Sequence, residues 1–159
     1  MSAPLLVDLS KVDLSQTLFD REEIARILPH RGQMALVDGI CHHNPQDVTM
    51  VGWKEVKADE FWVPGHFPGT PILPGVILVE ASAQVSLLCY KMAVPEIRER
   101  LVVFGGIDEV RFRGAVRPGD RVMLLIKMID MSRRGARAAT QAAVNGKLVY
   151  EGVVLAIVT

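Results

Sequence analysis

Several things are scarce in this sequence, and each scarcity narrows what the chain can be. There are only two cysteines, Cys41 and Cys89, without the CxxC spacing of a metal or redox pair. Two free thiols in a reducing compartment are expected, rather than a disulfide framework. Charge of one sign is missing as well: 18 lysines and arginines balance 18 aspartates and glutamates. Nothing in that balance points to nucleic acid. The opening residues Met1 to Lys11 lack a basic start followed by an apolar run, so no secretory signal is expected. His42 and His43 have no further ligands converging on them, so no metal is expected. Internal repeats and low-complexity segments are absent too. The expectation is a cytoplasmic, water-soluble chain.

What is present suits one ordered domain. The 159 residues are 50% hydrophobic, and a chain of this length buries about 70% of its unfolded surface without a disulfide or metal. Residues 1–19 are weakly patterned and read as a partly mobile arm. Residues 20–159 read as the domain.

The chain is organised around Pro64 to Tyr90. Pro64, Gly65, Pro68, Gly69, Pro71, Pro74 and Gly75 punctuate the first half too densely for helix or strand. From about Pro74 or Gly75 to about Met92 no Pro or Gly intervenes, and the segment reads as a helix opened by proline. Val76, Ile77, Leu78, Val79, Ala81, Ala83, Val85, Leu87 and Leu88 cover every face of it. Such a helix is buried all round or crosses a membrane. Glu80 and Gln84 sit mid-span, and an acidic residue there costs about 2.5–3.5 kcal/mol on insertion scales; burial in a protein is the reading, with no membrane.

Strand signals flank the helix. Asp20 with Glu23 forms a capping box for a short helix that ends at Pro29. Met34 to His43 and Val48 to Val56 read as a hairpin turned at Asn44–Pro45. After the helix come strands at Leu101–Arg113, with a bulge or bend at Gly105–Gly106, then at Arg121–Met131, Ala136–Val144 and Lys147–Thr159. Asn145–Gly146 is a tight-turn signal between the last two. The expected architecture is α+β: an antiparallel sheet of about six strands, ending in a four-strand meander, wrapped around one long helix. Such a sheet leaves one face of the helix and a sheet edge uncovered, so at least a dimer is expected.

Chemistry concentrates at the same stretch. Glu80 and Gln84 lie four residues apart on one helix face. Burial disfavours a charged carboxylate, so Glu80 is a candidate proton donor. The nearest partner in sequence is His66, on the loop before the helix. His30 and Asp38 read as structural, His30 bonding backbone at a turn.

These residues fall in a known pattern. Ile27-Leu-Pro-His-Arg31 with Ala35-Leu-Val-Asp38, Gly65-His-Phe-Pro-Gly69 with Pro71-Ile-Leu-Pro-Gly-Val76, Glu80 and Ala83–Gln84, Val110-Arg-Phe-Arg113 with Arg117-Pro-Gly-Asp120, and the final GKLVYEG hairpin together resemble the FabZ-type 3-hydroxyacyl-[acyl-carrier-protein] dehydratases. The resemblance runs from about Phe19 to Thr159. It implies a hotdog fold and dehydration of a (3R)-hydroxyacyl thioester to the trans-2-enoyl thioester in fatty-acid biosynthesis. It implies His66 and Glu80 as the catalytic pair, contributed to each active site by different subunits, either with His66 as base and Glu80 as acid or with His66 making both transfers while Glu80 orients the leaving oxygen, and Gly75 as a backbone donor to the thioester oxygen. By the same resemblance relatives are often trimers of dimers, and an acyl carrier protein delivers the substrate. No step needs a cofactor.

Further expectations attach to the pair. Gln84, one turn beyond Glu80, would orient its carboxyl group. Phe67, Ile72 and Leu73 are candidates for lining an apolar tunnel. An acidic carrier protein would be steered by a basic rim, either Arg133, Arg134 and Arg137 or Arg98 and Arg100. Two rival readings share the fold: an acyl thioesterase, and a non-catalytic protein that binds acyl chains or carrier proteins. The His66–Glu80 pair argues against the second, since binding alone needs neither.

Overall fold

In the computed structural model, which describes residues 3–159, a seven-stranded antiparallel sheet curls around one long helix. The elements are β1 (Phe19–Asp20), α1 (Arg21–Ala25), β2 (Gly39–Asn44), β3 (Thr49–Glu55), α2 (Gly75–Ala93), β4 (Val102–Phe112), β5 (Arg121–Met131), β6 (Gly135–Val144) and β7 (Lys147–Val158). The strand order is β1-β2-β3-β5-β6-β7-β4.

The helix sits where its composition sends it. α2 packs against β3, β5, β6 and β7, and Leu78, Val79, Ala81, Val85, Leu88, Cys89 and Tyr90 are all buried in the main core. It is the one helix among the described residues long and apolar enough to cross a bilayer, but most of it is enclosed by the sheet. Several polar residues along it find local partners, though the buried Ser82 hydroxyl has none among the described residues. The Ser86 hydroxyl donates to the Ser82 carbonyl at 2.9 Å, and Lys91 Nζ donates to the carbonyls of Arg98 and Arg100, each at 2.8 Å.

Four details depart from the sequence reading. First, the strands after α2 are not a simple meander. β5, β6 and β7 follow one another, but β4 crosses to pair with the far side of β7, leaving β4 as an edge. The expected bulge is there, with a register shift between Phe104 and Gly106, and a second shift lies between Asp108 and Arg111.

Second, the strand expected from Met34 begins only at Gly39. The residues before it spend their backbone groups elsewhere: the Leu36 N–H goes to Gln84 Oε1 at 3.1 Å, and the Ala35 carbonyl accepts from Arg21. Asp38 turns its carboxylate to Arg21 and to the Glu55 N–H, the structural role expected of it.

Third, β1 is a strand that the sequence did not announce. It is only two residues long, and Phe19 and Asp20 pair with Ile40 and Gly39. Asp20 then caps α1 in the expected box, accepting from the Glu23 N–H while the Glu23 carboxylate accepts from the Asp20 N–H.

Fourth, the arm is docked rather than loose. Leu5, Leu6, Val7, Leu9 and Val12 pack on the outer face of the sheet, over Cys41, Val51, Trp53, Met123, Leu125 and Ala143. Gln141 ties it down, accepting from the Leu6 N–H at 2.7 Å and donating to the Pro4 carbonyl at 3.1 Å. Residues 1 and 2 lie outside the described residues. The arm explains why β3 is buried on both faces.

Candidate active site

The loop before α2 is built around His66. Its N–H donates to the Trp62 carbonyl at 2.9 Å and its own carbonyl accepts from the Ile72 N–H at 2.8 Å. Gly69, at φ +74°, lets the chain reverse between the Phe67 and Thr70 backbone groups, which bond each other. The His66 ring lies against Phe67, centroids 4.1 Å apart, and its Nδ1 is 2.7 Å from the Ile72 carbonyl oxygen. A carbonyl can only accept, so Nδ1 carries the hydrogen in the neutral ring. The lone pair is thereby left on Nε2, the atom free to take a proton.

Glu80 lies one and a half turns into α2. Gln84 Nε2 donates to its Oε1 at 2.9 Å and also to the Met34 carbonyl at 2.8 Å. The Gln84 amide cannot flip without losing bonds, because its Oε1 accepts from the Leu36 N–H. Its NH2 group is thus fixed toward Glu80, four residues earlier on the same helix. His30, on the segment leading from α1, brings Nε2 to 3.5 Å from Glu80 Oε1. The ring's Nδ1 is buried with no hydrogen-bond partner among the described residues, so the expected turn-bonding histidine is corrected: it faces the carboxylate instead.

Glu80, Gln84 and His30 border an apolar cavity of about 320 Å³. Its walls come from α2 (Leu87, Tyr90), from the inward face of the sheet (Met128, Ala138) and from the edge strand (Val103, Phe104). A cavity of this size, apolar with a few polar groups at one end, suits an acyl chain with its reacting atoms near Glu80. Tyr90 does not turn its hydroxyl inward as a reactive group; it donates to the Ser132 carbonyl at 2.6 Å. Sequence reading missed these walls because Met128 and Ala138 are ordinary inward strand positions, and Val103 and Phe104 reach the cavity only through the long-range pairing of β4 with β7.

His66 is not among the cavity-lining residues of its own chain, nor are Phe67, Ile72 and Leu73. Phe67 is exposed, and Leu73 is a core residue. Gly75 opens α2, and no side chain caps that end of the helix; the first N–H groups of a helix have no partner within it. A Cβ at Gly75 would stand 2.6 Å from the Phe112 ring, so glycine permits the close packing of Phe112 there.

The two arginine clusters meet at one end of the molecule. Arg133, in the β5–β6 turn, pairs with Glu96 at 2.8 Å, beside the segment carrying Arg98 and Arg100. Arg137 pairs with Asp130 at 3.5 Å, and Arg100 donates to the Thr159 carbonyl. Leu101, next to Arg100, and Ala136, next to Arg137, both line the cavity.

Comparison with known proteins identifies the family. A family model described as a FabA-like domain matches residues 28–153. The 3-hydroxyacyl-[acyl-carrier-protein] dehydratase FabZ of Geobacter metallireducens is 41% identical over 137 residues, covering 86% of this chain and 91% of that protein. The FabZ dehydratase of Nitratidesulfovibrio vulgaris is 36% identical over 149 residues, covering 93% and 96%. Among solved structures, the dehydratase heterocomplex ApeI:P from Xenorhabdus doucetiae superposes with a TM-score of 0.72 at 18% identity, over 86% of this chain and 90% of that one. The last likeness concerns the fold alone, a hotdog in which the sheet wraps a central helix. The first two, with the family match, settle the lineage: the chain belongs to the FabA-like family, among its FabZ-type members.

Proposed function

We propose that this chain dehydrates (3R)-hydroxyacyl thioesters of acyl carrier protein to trans-2-enoyl thioesters in fatty-acid biosynthesis, in the cytoplasm. The observation that carries the reading is the apolar cavity with a held carboxyl group, Glu80, at one end. His66 takes the proton from C2 through Nε2. The electron pair of that C–H bond forms the C2–C3 double bond, and the C3–O bond breaks. Glu80 gives its proton to the departing oxygen, which leaves as water. Proton removal builds negative charge on the thioester oxygen. The Gly75 N–H at the uncapped start of α2 stabilises it, with the positive end of the helix dipole behind it.

His66 and Glu80 act on one substrate when a second subunit brings its His66 to this cavity. What supports a homodimer is the edge strand. β4 has no neighbour on its outer side among the described residues, and Val103, Phe104, Ile107 and Phe112 on it are 42–53% exposed. An open apolar edge is a surface that natural sheets cover. Trimers of dimers would bury more of the remaining apolar surface. Phe67 travels with His66 and would wall the partner's cavity; Ile72 holds His66, and Leu73 anchors the loop in the core. Arg98, Arg100, Arg133, Arg134 and Arg137 form the basic rim that meets the acidic carrier protein.

The test is product mass. Wild type given a 3-hydroxyacyl carrier-protein thioester should yield the enoyl thioester, lighter by one water. His66→Ala and Glu80→Gln should fold and turn over about 10²-fold or more slower. Release of free acid would make the chain a thioesterase. Binding without turnover would make it a non-catalytic acyl carrier.

A further inference from the structure

The geometry points to His30 as a positioning residue for the reaction: a neutral imidazole that donates its Nε2 hydrogen to Glu80 Oε1 and, with Gln84, fixes the orientation of the reacting carboxyl group. The inference rests on the reading of Glu80 as the proton donor.

Three observations carry it. His30 Nε2 stands 3.5 Å from Glu80 Oε1, and both residues border the cavity. The separation is slightly beyond a closed N–H···O bond, and a small turn of the carboxyl closes it. Bonds of this kind are often long until substrate is bound. Next, Nδ1 is shut from solvent and has no partner among the described residues. A hydrogen placed there would face nothing, whereas on Nε2 it faces a carboxylate oxygen. The tautomer is therefore decided by the surroundings. Finally, a buried polar atom without a partner destabilises a fold, and most such atoms in native proteins are satisfied. A histidine kept in that state is held for what its other nitrogen does.

The neutral state matters as much as the distance. Burial pushes the His30 ring below the ordinary histidine range; Glu80 opposes this, while the positive charges of Arg31 and Lys91 act in the same direction as burial. Neither cation bonds the ring. Arg31 is taken up by the carbonyls of Ala25, Leu28 and His30, and Lys91 by those of Arg98 and Arg100. A neutral imidazole carries one ring hydrogen, and with Nδ1 facing no partner among the described residues that hydrogen sits on Nε2, toward Glu80. A neutral N–H orients the group without pinning its charge. With Oε1 facing both Gln84 and His30, and Oε2 in no hydrogen bond among the described residues, Oε2 is the oxygen that carries the mobile proton.

The experiment compares His30→Met, which keeps bulk without a donor, and His30→Gln, which keeps an N–H in about the same place. Each is made in wild type and in Glu80→Gln, and kcat, KM and thermal midpoint are measured with the 3-hydroxybutyryl thioester of acyl carrier protein. His30→Met should lower kcat about 10- to 100-fold, as small misplacements at a reacting centre do, with KM within about twofold. Its thermal midpoint should hold or rise, because an unsatisfied buried nitrogen is removed. His30→Gln should recover most of kcat. In the Glu80→Gln background, His30→Met should cost less than about twofold, since it acts through a group already altered. A wild-type kcat for His30→Met, a change confined to KM, or an equal loss in both backgrounds would overturn the proposal while leaving Glu80 in place. Full activity of Glu80→Gln alone would overturn both readings together. If His30→Met does not fold, His30→Ala replaces it as the variant without a donor: a loss of kcat that disappears in the Glu80→Gln background supports the proposal, and no loss, or an equal loss in both backgrounds, overturns it.

Discussion

Gln84 holds Glu80 and the segment after α1 with a single amide: Nε2 donates to Glu80 Oε1 at 2.9 Å and to the Met34 carbonyl at 2.8 Å, while Oε1 accepts from the Leu36 N–H at 3.1 Å. One side chain therefore couples the carboxyl to the wall of the cavity. Replacing it by leucine, similar in bulk but apolar, should have two separable effects. The Leu36 N–H and Met34 carbonyl lose their partner, costing about 1–3 kcal/mol for each that stays buried and unsatisfied. The freed carboxyl should lower kcat by about tenfold or more at temperatures where the protein is folded. Thermal melting and steady-state kinetics on the same preparation check both.

The docked arm predicts a thiol pattern. Burial raises the Cys41 thiol, and pushes Cys89 up to about 12, so neither should react with Ellman's reagent in the folded chain at pH 8. Removing residues 1–13 strips Leu5, Leu6, Val7, Leu9 and Val12 from the face that includes Cys41 and Trp53. Cys41 should then react while Cys89, on α2 in the main core, stays protected. Five half-buried aliphatic side chains at about half the full-burial value suggest a stability loss on the order of 5 kcal/mol as an upper bound. Rapid reaction of Cys41 in the intact chain would mean the arm is not held.

Much of this was legible beforehand, and the illegible parts share a cause. Pro64 to Gly75 and the apolar run after it marked α2 to within a residue at each end, because proline, glycine and an uninterrupted apolar segment act locally. The Asp20–Glu23 capping box and the Asn145–Gly146 turn were legible for the same reason. The β4–β7 pairing was not, since two adjacent strands say nothing about which distant edge each prefers. Nor was the arm: Leu5 to Val12 has no clean period, and it is ordered only because β3, β5 and β6 present an outer apolar face. The facing of His30 and Glu80 joins residues fifty apart, and the local reading placed His30 against backbone.

Glu60 predicts a pH effect on stability. Burial opposes its charge, but the Lys57 N–H, Trp62 Nε1 and Lys54 Nζ all donate to it and outweigh that penalty, holding the carboxyl below the ordinary 4.5. A depressed acid contributes stability that is fully present above its unfolded value and is lost as pH falls through the folded one. Glu60→Gln should lower the unfolding free energy at neutral pH by about 1–3 kcal/mol for the unpaired Lys54 ammonium, read as a lower thermal midpoint. The gap to wild type should close as pH falls below 4.5. A gap independent of pH would mean the cluster holds by shape and not by charge.

The most direct test of the account mixes two inactive proteins. His66→Ala and Glu80→Gln subunits, unfolded together and refolded as hybrids, give dimers in which one cavity combines an intact His66 from one subunit with an intact Glu80 from the other. The account predicts that dehydration returns in the mixture, toward half the wild-type rate per hybrid dimer, while neither protein refolded alone recovers. No activity in hybrids whose formation is verified by mass would contradict it, because the pair would then have to act within a single chain.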